Sequence, residues 1–329
     1  MNKADIVVIG SATMDMTAKS SLLPLPGQTV LGKLFVMGPG GKGANQAVAA
    51  QRLGGNVCFI TKLGHDVNGE LIEKKYKEEG MDTSHILYSE THSGVAMILV
   101  DEKGENCITM TPGANGDITV EDIDSVADII KSAKFLVVQL EIPLKAVMRA
   151  VEIAHKAGVY VLLNPAPACD LPNEIYPNVS LMTPNETEAA FITGRPVTSD
   201  PDELKETVAI FRNRGVKDII ITLGSNGSLV CEYGKEPILV PVIKTKALDT
   251  TGAGDTFSGA VCVALSEGKS LLEAAKPAEK KTASKTGEKK TSSSTAKKTS
   301  SSSSSGTSMK VTASEKKLVE LYRQADSCE

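Results

Sequence analysis

The chain has 329 residues, 41% of them hydrophobic, enough to bury a large core as one α/β domain or two smaller ones. Its formal net charge of −4 is unevenly spread: eight lysines face two glutamates between Lys276 and Ser308, four basic residues balance four acidic ones in the last 21, and residues 1–275 keep about −10. A main body of that sign is not a general nucleic-acid binder.

"DIVVIG" reads as the first strand, and "TVLGKLFVMGPGG" as extended chain. "GANQAVAAQRLGG" then has a helical pattern, "VCFITKLG" is a strand and "NGELIEKKYKEEG" a second helix. "SGVAMILVDEKGENCITMTPGAN" reads as two antiparallel strands turning at Glu102–Glu105. Strand and helix alternate again through "KFLVVQLEIP", "PLKAVMRAVEIAHKAG", "VYVLLNPAP", "SLMTPNE", "PDELKETVAIFRNRG" and "DIIITLG". Most of these helices stop at Gly, as a left-handed cap does.

Apolar strands alternating with amphipathic helices predict a mostly parallel sheet covered on both faces, an α/β fold. The two stretches with no helix between them, near 15–40 and 93–112, read as a small projecting sheet; the alternative is an edge extension of the main one. Ligands of such sheets bind beyond the carboxyl ends of the strands. Asp15, Glu141, Asn164, Asn185, Glu188, Thr222 and Gly224 gather there.

The composition changes near residue 276. "KPAEKKTASKTGEKKTSSSTAKKTSSSSSSGTS", residues 276–308, cannot form a core and is expected to be a disordered linker. Within 309–329, "VTASEKKLVELYRQA" reads as a short amphipathic helix, with Thr312 and Glu315 at capping-box spacing.

Cysteines 58, 107, 169, 231, 262 and 328 contain no C-x-x-C pair, and histidines 65, 85, 92 and 155 share no ligand spacing. Reduced thiols and no zinc site are the expectation. No apolar stretch reaches the ~20 residues of a membrane span, so the expected location is the cytoplasm, with the nucleus also open.

The chemistry concentrates in "DTTGAGDTF", Asp249 to Phe257, directly before the apolar helical run "SGAVCVALSEG". Glycines at a helix start leave main-chain N–H groups free at the positive end of a dipole, which makes an anion site. Asp255 follows one residue later, and a carboxylate beside an anion site is unfavourable unless it has a task. Taking a proton from a hydroxyl that attacks phosphorus is such a task; a first-turn helix acid is the plain alternative. "MGPGGKGANQ" lacks the spacing of a P-loop.

"GGKGANQAVAAQRLG", "NPAPA", "TPNETEA", "TLGSNGSLV" and "DTTGAGDTFSGA" resemble, in order and separation, the motifs of the ribokinase family of carbohydrate kinases, over roughly residues 4–275. The resemblance implies a ribokinase-like domain over 1–275, with the projecting strands as a lid and lid-to-lid pairing into a homodimer. It implies ATP-dependent phosphorylation of the primary 5-hydroxyl of D-ribose. Thr13, Met14 and Asp15 would meet the sugar, although Asn often stands where Thr13 does. Gly40, Gly41, Lys42, Gly43, Ala44 and Asn45 would close over it, and Glu141 would touch it. Asn185 would face the ATP phosphates, with Glu188 toward a hydrated Mg2+ or simply serving as a helix acid. Thr222, Leu223, Gly224, Ser225, Asn226 and Gly227 would line the nucleotide. Gly252, Ala253 and Gly254 would form the anion hole, Gly254 also touching ATP, with Asp255 as general base. Asp249 and Thr251 would help hold K+. Asn164 and the prolines of "NPAPA" read as structural, and His65 and Met37 as scaffold.

After Leu272 the motifs give out where the family continues with helices that wall the adenine and complete the cation site. The terminal helix is expected to dock in their place; a fusion or a faulty gene end is the alternative. Two further readings stay open: a kinase for another small sugar such as deoxyribose, or a sugar-binding protein without turnover.

Overall fold

The computed structural model describes residues 3–242 and 252–276, all within one compact unit, Met1–Pro277. The expected linker and terminal helix, and the candidate cation ligands Asp249 and Thr251, lie outside the described residues. In chain order the elements are β1 (Ile6–Ile9), β2 (Thr13–Ser20), β3 (Gly32–Gly40), α1 (Lys42–Arg52), β4 (Val57–Ile60), β5 (Lys62–Gly64), α2 (Val67–Glu78), β6 (Leu87–Ser89), β7 (Gly94–Val100) and β8 (Asn106–Thr111). They continue with α3 (Val120–Ser125), α4 (Ala127–Ser132), β9 (Phe135–Val138), α5 (Leu144–Lys156), β10 (Tyr160–Leu163), β11 (Leu181–Met182), α6 (Glu186–Thr193) and α7 (Pro201–Arg214). The last are β12 (Asp218–Thr222), β13 (Ser228–Cys231), β14 (Ile238–Val240), α8 (Ala253–Ser266) and α9 (Leu271–Ala275).

The main sheet has eight strands in the order β14-β13-β12-β11-β10-β9-β1-β4. From β12 through β4 all neighbours are parallel. β13 pairs antiparallel with both β12 and β14, and the tight turn at Gly224–Asn226 between β12 and β13 leaves no room for a crossover helix. Side chains of β1 alternate between two cores. Val7 and Ile9 pack with residues of α3 to α7, and Ile6 and Val8 with residues of α1, α2, α8 and α9. A parallel sheet buried on both faces needs this continuous apolar character. The four expected helices close beside glycines at positive φ: Gly54, Gly80, Gly158 and Gly215.

The second sheet, β3-β2-β7-β8, shares no strand with the first, so the strands project as a lid rather than extend an edge. Its inner strand β2 springs directly from β1 across Gly10–Ala12 and pairs antiparallel with β3 and parallel with β7. The junction is clamped by Asn115, which is buried: its Oδ1 accepts from the Ala12 N–H at 2.9 Å and its Nδ2 donates to the Ala12 carbonyl at 2.8 Å. His65 stacks on Tyr88 with ring centroids 4.9 Å apart, a scaffold contact as expected.

One helix pair sets the geometry of everything that follows. α1 presents Ala44, Ala47 and Ala50 to the core and lies against α8. A Cβ on Gly259 would stand 2.7 Å from the Gln46 carbonyl oxygen and 3.1 Å from Ala49 Cβ. The missing side chain is what lets the two backbones approach. Gly259→Val should therefore destabilise the protein by about 1–3 kcal/mol. Denaturant unfolding is the check, and an unchanged midpoint would contradict this packing role.

Candidate active site

The loop into α8 is left-handed at Gly252 (φ 71°, ψ 6°), and no side chain caps the helix start. The first main-chain N–H groups of α8 are thus left at its positive end. Asp255, in the first turn, is 5% exposed. Its two oxygens meet different donors: Oδ2 accepts from Asn45 Nδ2 at 3.2 Å, and Oδ1 from Gln46 Nε2 at 3.0 Å. Gln46 Nε2 also donates to Asn164 Oδ1 at 2.9 Å, and its Oε1 accepts from Gln139 Nε2 at 2.7 Å. Asn164 in turn donates to the Thr183 carbonyl at 2.9 Å.

The start of α1 is built against the same place. Glu141, from the loop after β9, accepts from the Lys42 N–H at 2.9 Å and from the Ser11 hydroxyl at 2.5 Å. It acts as the acid that the N-terminus of α1 lacks, since Gly41 supplies no capping side chain. Asp15, at the base of the lid, accepts from Thr13 Oγ1 at 2.7 Å. Gly40 leaves it room: a Cβ there would meet Asp15 Oδ2 at 2.0 Å.

On the opposite wall, Asn185 and Glu188 form a reciprocal capping box on α6. Asn185 Oδ1 accepts from the Glu188 N–H at 2.7 Å, and Glu188 Oε2 from the Asn185 N–H at 2.9 Å. The helix-acid reading of Glu188 is therefore realised, and the residue still reaches the cleft. A cavity of about 150 Å3 is lined by Lys42, Asn164, Asn185, Glu188, Thr222 and Gly252–Asp255, with Ala166 and Thr183. The turn at Gly224–Asn226 is exposed just beyond β12.

The electrostatics follow from burial. Burial is the main cause that pushes the Asp255 carboxyl up; the charge of Lys42 and the amides of Gln46 and Asn45 pull it back, and Glu141 adds to the rise. Asp15 is raised by burial, opposed by the Thr13 hydroxyl and reinforced by Glu141. Glu188 is raised by burial, opposed by the Asn185 N–H and Lys42. A cleft with this many carboxylates and donors of main-chain N–H can bind an anion and move a proton beside it.

Most of the expected residues thus meet. Met14, Ala44 and Leu223 do not line the cavity and bury their side chains in the two cores. Asn164, read from sequence as structural, both lines the cavity and links the amides behind it. Sequence reasoning gave no role to Gln46, Ser11, Asn115 or Thr183. For Gln46 a signal existed: Lys42, Asn45 and Gln46 sit at i, i+3 and i+4 and share one helix face.

Residues 3–298 match the model of the pfkB family carbohydrate kinases. The chain belongs to this family. A ribokinase of Haemophilus influenzae is 39% identical over 272 residues, spanning 82% of this chain and 88% of its own. A deoxyribokinase of Salmonella typhi is 38% identical over 257 residues, covering 78% of this chain and 83% of its own. Among solved structures, Arabidopsis thaliana ribokinase complexed with ribose and ATP superposes with a TM-score of 0.77 at 32% identity, over 83% of this chain and 89% of that one. The fold is ribokinase-like and the protein is a carbohydrate kinase. No helix among the described residues is long and apolar enough to cross a membrane.

The raised Asp255 makes a stability prediction with a definite sign. A carboxyl that binds its proton more tightly folded than unfolded loses stability as the pH rises from the ordinary carboxylate range through its raised value. Asp255→Asn removes that loss. The stability of the variant relative to the unsubstituted protein should therefore improve between about pH 4 and neutrality, as measured by urea unfolding at a series of pH values. A difference that stays flat, or runs the other way, would contradict the burial of a charge there.

Proposed function

We propose that the protein transfers the terminal phosphate of ATP to the primary 5-hydroxyl of D-ribose, yielding ribose 5-phosphate and ADP. The observation that carries this reading is the buried Asp255 carboxylate set beside the uncapped N-terminus of α8, across a cleft from Lys42. In the reaction, Asp255 Oδ2 takes the hydroxyl proton as the sugar oxygen bonds to phosphorus and the bond from phosphorus to the ADP oxygen breaks. The proton then leaves to solvent. The N–H groups of Gly252, Ala253 and Gly254 hold the negative charge that shifts among the phosphate oxygens.

Asp15 and Glu141 accept bonds from the other sugar hydroxyls, while Lys42 and Asn45 orient the sugar beneath the lid. Asn185 faces the phosphates, and Thr222 to Gly227 border the nucleotide. A Mg2+ ion suits the Glu188 wall: the capping bond occupies Oε2 alone, and no cluster of three or more His, Cys, Asp or Glu among the described residues could hold a metal by itself. When bound, such an ion would lower the charge of the phosphates. Asp249 and Thr251, outside the described residues, would help hold a K+ ion in this reading. The lid excludes water, a competing acceptor. Its outer strand β8 is exposed along its whole length, and Phe35, Met37 and Met97, which the strand registers set on one face, are 60%, 41% and 62% exposed. That apolar face supports pairing of two lids in a homodimer. The reading places the enzyme in the cytoplasm.

Deoxyribose is the second acceptor to weigh, because the deoxyribokinase and ribokinase relatives are nearly equal in identity. Steady-state rates with ATP, Mg2+ and K+ on each sugar decide between them; a higher kcat/KM for ribose is expected. Asp255→Asn should lower kcat by about 10^2- to 10^4-fold while calorimetry still detects ribose binding. The acid limb of kcat/KM should lie above the ordinary carboxylate value of ~4. Undiminished turnover in the variant would overturn the assignment.

A further inference from the structure

We infer that Gln46 is a positioning residue for Asp255, anchoring Oδ1 from the buried side so that Oδ2 alone is left to take the proton. The inference rests on the reading of Asp255 as the general base. The two carboxylate oxygens are not equivalent. The donor to Oδ2, Asn45, is half-exposed at the cleft, where an incoming hydroxyl can displace or join it. The donor to Oδ1, Gln46, is 0% exposed and cannot be reached by substrate.

The direction of the Gln46 amide is fixed independently of Asp255. The Thr183 main-chain carbonyl can only accept, so it orients the Asn164 amide with Nδ2 toward it. Asn164 Oδ1 then demands a donor, and Gln46 Nε2 supplies it. The second hydrogen of the same Nε2 points to Asp255 Oδ1, and Oε1 is left to accept from Gln139. Both donors of Gln46 are committed. Reversing this amide would set its oxygen against Asn164 Oδ1 and Asp255 Oδ1 together and its hydrogens against Gln139.

The cost of this fixed direction appears at the far end. Gln139 Oε1 is buried without a partner, facing Gly10, where a Cβ would come within 2.1 Å of it. Flipping Gln139 would satisfy nothing, because its oxygen would then oppose Gln46 Oε1. An unpaired buried carbonyl is normally costly enough to be removed. Here the chain of amides moves the defect two side chains away from the carboxylate and keeps the donor on Oδ1. The charged groups facing Asp255 are Lys42 at the start of α1, Glu141 from the loop after β9 and Glu188 on α6. None of them touches Oδ1 in the way Gln46 does.

The test compares three variants of the full chain by pH–rate profile with ribose, ATP, Mg2+ and K+. Gln46→Met removes both donors; Gln46→Glu keeps the shape and the acceptor for Gln139, and serves if the first variant does not fold. Each should lower kcat about ten- to a hundredfold and move the acid limb of kcat/KM up by about one pH unit, with KM for ribose within about threefold. Gln139→Met should leave both kcat and the acid limb within about twofold of the unsubstituted enzyme, because Asn164 still orients Gln46. An acid limb unmoved in the Gln46 variants would overturn the inference, and so would an equal shift in Gln139→Met. Undiminished turnover in Asp255→Asn would instead remove the general-base reading itself, a separate outcome.

Discussion

A carboxylate held out of water next to a helix N-terminus is the constraint on which this molecule is built. Burying the charge of Asp255 is unfavourable by itself. The surroundings compensate with two amide donors and the nearby cation of Lys42, all from α1, and with the dipole of α8. α1 supplies Asn45, Gln46 and Lys42 from one face, and it reaches α8 only because Gly259 has no side chain. The close contact of two helices is thus the mechanical basis of the site.

The second consequence is that the lid and the catalytic end are parts of one hydrogen-bonded assembly. Glu141 holds the first N–H of α1 and the hydroxyl of Ser11, while Asn115 ties Ala12 to the segment that ends β8. The residues proposed to hold sugar therefore also hold the backbone on which they sit. A sugar arriving at Asp15 and Glu141 would meet groups whose partial burial has already raised or engaged them. Pre-set geometry of this kind lowers the entropy lost on binding.

Much of the fold was legible because the sheet is buried on both faces. β1, β4, β9, β10 and β12 are continuous apolar runs, and the helices between them end beside glycines. β2 was less visible, since it carries Asp15 and Lys19 and its inward face turns toward a cleft. α3, α4 and α9 have six, six and five residues, too few for a helical period to register. For the site, "TGAGD" pointed to an anion end through the local rule of glycine at a helix start, whereas "GGKGAN" was assigned to a sugar only through the family resemblance. The hydrogen-bonded roles of Gln46, Gln139 and Asn164 escaped such rules. Gln139 and Asn164 are single amides at the ends of apolar strands, and the network exists only once β9 and β10 bring them beside Gln46 on α1.

A crystal structure with ribose and a non-hydrolysable ATP analogue tests the central claim most directly. The account predicts the primary hydroxyl oxygen of the sugar within about 2.6–3.2 Å of Asp255 Oδ2, with Gln46 still donating to Oδ1. A hydroxyl that approaches neither oxygen, or a carboxylate turned away from the start of α8, would contradict it.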